Sequence, residues 1–333
     1  MTQYTHPKYG TVLRTPDNAF ANLPDYPFEP NYMEVDELRL HYVDEGEAVN
    51  GTLFLMHGQP SWSYLYRHMI PQFVAAGYRV IAPDLIGFGK SDKPAAGKVY
   101  SYQAHVDWIA AFVGKLGITG ANAFFQDWGG MIGLRVMEKH PTWIKRMTVA
   151  NTALSDVKGP MKLMLPNILR LMRFFAGKPT IADLAQKQSY GNWAGYFKHS
   201  ARIEISKVMQ ILTTKTLTTA EVAAYDAPFP DSRYHAATRV MPQIVATQLN
   251  AAQAAWEHLR QSQVPTLVLF SDKDPFLAGQ GIDQQFMALP GASGQPHVEI
   301  ENASHFLQED AGVELATRVL AWMAQEASPR QAA

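Results

Sequence analysis

The chain contains no cysteine. Disulfides, thiol nucleophiles and thiolate metal sites are therefore excluded, although this alone does not fix the compartment. No apolar run approaches the roughly 20 residues that a membrane-spanning helix needs. Neither sign of charge dominates, since 29 Lys and Arg stand against 30 Asp and Glu. A formal net charge of −1 gives no electrostatic case for nucleic acid or for an anionic membrane. No basic start leads into an apolar run over Met1–Gly10, so a cytoplasmic protein without a cleaved leader is expected. There are no repeats, no low-complexity tract, no dinucleotide fingerprint and no cluster at metal-ligand spacing, so neither a metal nor a cofactor is expected. Gly87-Phe88-Gly89-Lys90-Ser91 looks like part of a phosphate loop, but that motif needs a glycine where Asp84 stands.

What is present is an ordinary globular balance over 333 residues, 47% hydrophobic and 18% charged. Residues 1–35 are rich in Pro, Tyr and Asn without a clear period, and read as an arm packed over the body. Apolar runs then alternate with helical patterns. Leu38–Val43, Thr52–Met56, Arg79–Ala82, Ala121–Phe125, Met147–Ala150, Thr266–Phe270 and Val298–Ile300 read as strands, several apolar throughout as in sheets covered on both faces. Tyr102–Leu116 puts Val106, Ile109, Ala110 and Val113 on one stripe and ends at Gly117. Gly129–Lys139 and Ala311–Gln325 read as further helices. This alternation predicts an α/β architecture, a doubly wound and mostly parallel sheet. From about Ser155 to Met241 no strand pattern occurs. That stretch reads as a helical cap over the sheet's C-terminal edge, where ligands bind in such sheets. The expected division is a core over 1–154 including the arm, a cap over 155–241, and the rest of the core over 242–333.

Chemistry concentrates where strands end. Asn122-Ala123-Phe124-Phe125-Gln126-Asp127-Trp128-Gly129-Gly130 reads as a strand, a glycine turn and a helix, the context of a nucleophile elbow. The residue at its apex is aspartate where serine is usual. A carboxylate attacks carbon directly and leaves an alkyl ester, which water must then break. Three other pieces follow strands: His57-Gly58-Gln59-Pro60, Ser271-Asp272-Lys273-Asp274-Pro275 and Asn302-Ala303-Ser304-His305-Phe306. The chain order is nucleophile, acid, histidine, as in the α/β-hydrolase triad. His305, neutral near pH 7 at an unperturbed pKa of roughly 6.5, can take a proton from the attacking water. An acid, Asp274, would orient and stabilise the imidazole. Asp272 is its near competitor and Asp156 a remote one. Backbone N–H groups of Gln59 and Trp128 are placed as oxyanion donors. His57 is expected to shape the oxyanion loop rather than to do chemistry.

The leaving group follows from Trp128. An indole N–H is donor only, and a halide accepts hydrogen bonds without carrying a proton. Trp193 in the cap is the candidate second halide donor. Trp62, Trp108, Trp143, Trp256 and Trp322 read as packing. The Asn302-Ala303-Ser304 sequon abuts the base and is set aside as a glycosylation site.

At this point the chain resembles the haloalkane dehalogenases over nearly its whole length, in particular the subfamily whose acid follows the later strand. The stretches that carry the likeness are Arg14 to Leu23, His57 to Arg67, Val80 to Asp84, Gly87 to Pro94, Gln126 to Gly130, Ala227 to Asp231 and Ala303 to Phe306. Asn151 suits that subfamily, because others carry their acid there. The resemblance implies the α/β-hydrolase fold, with Asp127 as nucleophile, His305 as base, Asp274 as acid, and Trp128 and Trp193 as halide donors. It implies hydrolysis of a halogenated alkane by water to a primary alcohol and a halide ion, with no nucleic-acid or membrane partner and a monomer or weak oligomer. An epoxide hydrolase of the same fold is the alternative. It would use cap tyrosines as acids, and Tyr190, Tyr196 and Tyr225 keep it open, while Gln126 stands where such enzymes usually show histidine. A non-catalytic binding module is the third reading, but it would be expected to lack a triad member.

Overall fold

The computed structural model of the chain describes residues 3–327. Eleven strands are present: β1 (Gln3–His6), β2 (Gly10–Leu13), β3 (Asn31–Val35), β4 (Leu38–Glu45), β5 (Thr52–Met56), β6 (Arg79–Pro83), β7 (Lys93–Pro94), β8 (Ala121–Gln126), β9 (Ile144–Ala150), β10 (Thr266–Ser271) and β11 (Val298–Ile300). Eight of them form the central sheet in the order β11-β10-β9-β8-β5-β6-β4-β3. From β6 to β11 the neighbours in this order are parallel, whereas β4 runs antiparallel to β6 and β3 to β4. All six residues of β8 and all six of β10 are buried. A central strand covered on both faces is mainly apolar for this reason, with Asn122 and Gln126 in β8 and Thr266 and Ser271 in β10 as the polar exceptions.

Among the described residues there are twelve α-helices. On the core lie α1 (Ile70–Ala75), α2 (Tyr102–Leu116) and α3 (Asp127–Lys139). Helix α2 begins where the Ser101 hydroxyl accepts the Ala104 N–H at 3.0 Å, and it ends at Gly117, whose φ of 63° is left-handed. No strand lies between β9 and β10. That interval holds α4 (Met161–Ala176), α5 (Ile181–Gln186), α6 (Tyr190–His199), α7 (Ile205–Ile211), α8 (Thr219–Asp226), α9 (Ala236–Ile244) and α10 (Leu249–Gln261). Then come α11 (Ile282–Met287) and α12 (Leu307–Ala327), the latter kinked at Ala311.

The N-terminal arm is more structured than its composition predicts. Strands β1 and β2 pair with each other, and β2 pairs with β7, in a small separate sheet. Strand β3 becomes the edge of the main sheet. These strands are four or five residues long and largely exposed, so they carry almost no hydrophobic period.

A buried charge network ties the strandless segment to the core. Arg67, just beyond β5, makes a two-pronged contact with Glu309 of α12 at 2.6 and 2.6 Å. It also donates to Glu221 of α8 at 2.7 Å, while Lys215 reaches Glu309 and the Tyr225 hydroxyl donates to the same carboxylate. Burial by itself would raise the pKa of Glu309, but Arg67, Lys215 and Tyr225 outweigh it and hold it below the usual carboxylate range. Removing one partner of such a cluster leaves an uncompensated buried charge. Glu309→Gln is therefore expected to cost about 3–5 kcal/mol in urea unfolding at pH 7. A loss under about 1 kcal/mol would show that this cluster is not what joins the segment to the core. The sign with pH follows from the lowered pKa of Glu221 and Glu309. Their contribution is present above 4.5, the unfolded carboxylate value, and falls away on acidification toward the Glu221 value of about 2.

Candidate active site

Asp127 is the first residue of α3 and follows β8 directly. Its φ of 49° is left-handed, which turns the side chain out of the strand-to-helix corner. Glycines make the corner possible. A Cβ on Gly129 would lie 2.2 Å from the Met56 carbonyl oxygen, and one on Gly130 would lie 2.1 Å from the Thr152 hydroxyl. A Cβ on Gly58 would strike the Asp127 carboxylate itself at 2.0 Å. Two hydrogen bonds fix the turn: the Asp127 N–H donates to Asn151 O at 3.0 Å, and the Thr152 hydroxyl donates to Asp127 O at 2.7 Å.

The carboxylate of Asp127 divides its two oxygens. Oδ1 accepts the backbone N–H of Gln59 at 2.7 Å, and Oδ2 lies 3.3 Å from His305 Nε2. The other imidazole nitrogen, Nδ1, donates to Asp274 Oδ2 at 2.7 Å. Asp274 is itself pinned, since its Oδ1 accepts the N–H groups of Phe276 at 2.8 Å and Leu277 at 3.2 Å. Asp127, His305 and Asp274 are thus brought into one line. Asp272 points elsewhere and accepts the Ala303 N–H, while Asp156 pairs with Arg260. Asp272 and Asp274 follow the same strand two residues apart, and in the sequence Asp274 is favoured over Asp272 by the resemblance and by the turn-forming Pro275.

Burial disfavours the imidazolium form of His305, but Asp274 and Asp127 outweigh burial and raise its pKa above the ordinary histidine value. In the free protein the two carboxylates therefore favour the charged ring. The His305 backbone is braced by Asn151, which stands where related enzymes carry their acid, and by Gln126. Asn151 Nδ2 donates to the carbonyls of Ser304 at 3.0 Å and His305 at 3.2 Å, and Gln126 Nε2 donates to His305 O at 3.1 Å. Both sit at the ends of adjacent strands, which is the one cue to this bracing.

His57 is a post for the oxyanion loop. Its Nε2 accepts the Leu85 N–H at 3.0 Å, so Nδ1 carries the proton and donates to Gly58 O at 2.8 Å. Full burial lowers its pKa and keeps it neutral. The second expected oxyanion donor, the Trp128 N–H, lies in the first turn of α3, where backbone donors have no intrahelical acceptor.

These groups open on a cavity of about 430 Å³ whose wall includes Asp127, Trp128, Trp193, Phe276 and His305. The Trp128 ring rests edge-on against Tyr102, and Trp193 against Phe197 and Phe276. Among the described residues neither indole N–H is hydrogen-bonded to a protein acceptor, and both tryptophans line the cavity. By contrast, the Trp256 N–H is taken up by Leu154 O and the Trp322 N–H by Gln295. Trp62, Trp108 and Trp143 are buried in the core. A larger hollow of about 760 Å³ lies between Glu204, Asp226 and His235 on the outer side of the helical segment and touches none of the three aligned residues. Of the cap tyrosines, only Tyr190 reaches the cavity wall. Its hydroxyl is committed, donating to Pro242 O at 2.8 Å and accepting from Arg173 at 2.8 Å. Tyr196 accepts the Glu204 N–H, and Tyr225 serves the Arg67 network. Among the described residues His68, Glu221 and Glu309 lie close enough together to share a metal ion, but Arg67 and Lys215 already neutralise those carboxylates.

Comparison with known proteins agrees with this geometry. The family model of the alpha/beta hydrolase fold matches residues 51–312. A curated haloalkane dehalogenase of Mycolicibacterium paratuberculosis is 40% identical over 93% of this chain and 98% of its own. Another, of Psychrobacter cryohalolentis, is 40% identical over 92% and 95%. Among solved structures, a haloalkane dehalogenase of Paraglaciecola agarilytica described as tetrameric superposes with a TM-score of 0.76 at 29% identity, covering 93% of this chain and 98% of that one. The aspartate-bearing elbow, the imidazole on its carboxylate, the two open indole donors and these relatives converge, and the chain belongs to the haloalkane dehalogenases of the α/β-hydrolase fold.

Proposed function

We propose that this hydrolase cleaves carbon–halide bonds through an alkyl ester on Asp127, converting a haloalkane and water into an alcohol and a halide ion. The observation that carries this reading is the split environment of the Asp127 carboxylate, with Oδ1 on the Gln59 N–H and Oδ2 facing His305 and the cavity. In the first step Asp127 Oδ2 attacks the halogen-bearing carbon. The new C–O bond forms as the C–halogen bond breaks, and the halide departs with the bonding electrons. The indole N–H groups of Trp128 and Trp193 receive it, each free for an acceptor that brings no proton.

Esterification removes the negative charge of Asp127. His305 then keeps only Asp274 as an anionic neighbour, and its hold on the proton weakens. Losing that proton to solvent, the ring becomes the base for the second step. Water attacks the ester carbonyl carbon while His305 Nε2 takes its proton. The oxyanion develops on Oδ1, where the Gln59 N–H already stands and the Trp128 N–H is the second donor. Collapse breaks the bond between the carbonyl carbon and the alkyl oxygen. The alcohol leaves with the proton from His305, and Asp127 retains one oxygen from water, whose second proton passes to the His305 ring and restores the carboxylate beside the imidazolium. Asp274 acts throughout by holding Nδ1–H and so setting the tautomer. No cofactor enters these steps.

The epoxide reading would need a free phenol over the nucleophile, and the Tyr190 hydroxyl is already donated to Pro242 O. In this reading the chain divides into core 1–154, cap 155–241 and core 242–333, with α9 crossing the second boundary. A cytoplasmic site of action and a monomer or weak oligomer are carried with it. No described helix is long and apolar enough to cross a membrane.

Substrate, variant and pH measurements test the scheme. Halide release from 1,2-dibromoethane and 1-bromobutane is expected for the wild type, with no diol from styrene oxide. His305→Gln is expected to retain alkylation and lose turnover, so intact-protein mass spectrometry after bromoalkane exposure shows one adduct on the Asp127 peptide. An unmodified peptide would sink the ester. Asp274→Asn is expected to lower turnover by about 10⁴-fold, and in the wild type turnover falls as pH drops because His305 must be neutral for hydrolysis. The halide burst persists there, since alkylation needs only ionised Asp127; a burst and turnover that fell together would contradict this division. Trp128→Phe is expected to slow halide release on the order of 10²-fold and to weaken quenching of intrinsic fluorescence by bromide. Unchanged quenching would remove Trp128 as a halide donor.

A further inference from the structure

Helix α4 is folded with its apolar side outward. Leu163, Leu171, Phe174 and Phe175 are 80%, 54%, 75% and 78% exposed, and Met164 and Ile168 are exposed beside them. At 3.6 residues per turn these six side chains fall within an arc of about 140°. None of the helix is buried. Two of its polar residues turn inward, where Lys162 bonds Gln253 at 2.6 Å and Arg173 bonds Tyr190 at 2.8 Å, while Asn167 and Arg170 stay exposed beside the apolar side chains. An ordinary surface helix does the reverse, burying its apolar stripe. A contiguous exposed apolar patch of this kind marks an interaction surface.

Charge identifies what covers it. From Val157 to Ala182 the chain carries Lys158, Lys162, Arg170, Arg173 and Lys178 and no Asp or Glu. A hollow flanking Phe174 is walled by Arg170, Arg173, Lys178, Lys198 and His199, again without a carboxylate. On its inner side the same helix contributes Leu169 to the wall of the Asp127 cavity.

We propose that α4 docks this protein on the surface of an anionic phospholipid bilayer. Phe174, Phe175, Leu163 and Leu171 enter the boundary between headgroups and acyl chains, and the basic hollow meets the phosphates. A net charge of −1 does not oppose this, because the attraction is local to one helix within a screening length. A second copy of the chain is the weaker occupant. A two-fold contact through this face would set the basic hollow of each helix at one interface with no carboxylate on α4 to receive it. Docking through α4 brings the wall of the cavity to the lipid surface, where apolar small molecules concentrate.

Vesicle flotation with the full chain tests the proposal independently of catalysis. The wild type is expected to float with vesicles of phosphatidylglycerol and phosphatidylcholine, and roughly tenfold or more weakly with phosphatidylcholine alone or in high salt. Phe174→Gln/Phe175→Gln and, separately, Arg170→Gln/Lys178→Gln are each expected to lose flotation roughly tenfold or more, with halide release from 1,2-dibromoethane unchanged. Failure of the wild type to float with phosphatidylglycerol vesicles overturns the proposal. So does undiminished flotation of the phenylalanine variant. A dimer in sedimentation that the phenylalanine variant dissolves, without vesicle binding by the wild type, assigns the face to a second copy instead.

Discussion

Asp127 reaches His305 at 3.3 Å because the strand-to-helix corner on which it sits has been emptied of side chains. A left-handed backbone costs a non-glycine residue on the order of 1–2 kcal/mol. Here the cost is offset by two hydrogen bonds that hold the corner from either side, from Asn151 O and Thr152 Oγ1. Gly58, Gly129 and Gly130 are required by space, since a methyl group at any of them would collide with the carboxylate, the β5 backbone or Thr152. The loop bearing Gln59 can then come close enough to place its N–H on Oδ1. Nucleophile, oxyanion donor and base therefore share a single steric condition.

The imidazole follows from the sheet. β8, β9 and β10 are neighbours; β8 ends in Gln126, Asn151 directly follows β9, and the turn after β10 carries Asp274. Gln126 and Asn151 hold the carbonyl of His305, and Asp274 holds its Nδ1, so neither the main chain nor the ring of His305 is free to turn. Two carboxylates around one buried ring favour its charged form at rest. A cation cannot act as a base, so the two-step scheme gains a built-in order: the charge that Asp127 gives up on alkylation is the charge that kept His305 protonated.

Much of this was legible before any coordinates. Asp127, Asp274 and His305 each follow a strand, and strand ends converge at one edge of a doubly wound sheet. The central strands were legible because burial on both faces makes them mainly apolar. What escaped did so for identifiable reasons. Strands β1 to β3 are short and exposed, so their pairing leaves no hydrophobic trace. The bracing by Asn151 and Gln126 is a matter of side-chain direction across three strands, which no local spacing encodes. The charge on His305 depends on two residues distant in sequence that only folding places within 3.3 Å of it. Trp193 was reached through an argument about donors, and its approach to Phe276 beside the base is tertiary packing that the cap sequence does not announce.

The helical segment shows how little whole-chain averages reveal. Its inner side is anchored by an Arg67 network with carboxylates from two separate parts of the chain, so the cap is held by charge as well as by apolar contact. Its outermost helix reverses the usual rule, with two polar groups spent on Gln253 and Tyr190 and phenylalanines left in water. A chain near neutrality can hold five cations and no anion within one stretch of 26 residues, Val157 to Ala182. Exposing apolar side chains costs about 25 cal/mol for each Å² left unburied, and nothing in the catalytic geometry requires that exposure. A helix whose inner edge supplies Leu169 to the cavity could satisfy that role with a polar outer face. The outward apolar side is therefore a feature in addition to the active site, and its explanation has to come from what the protein meets outside itself.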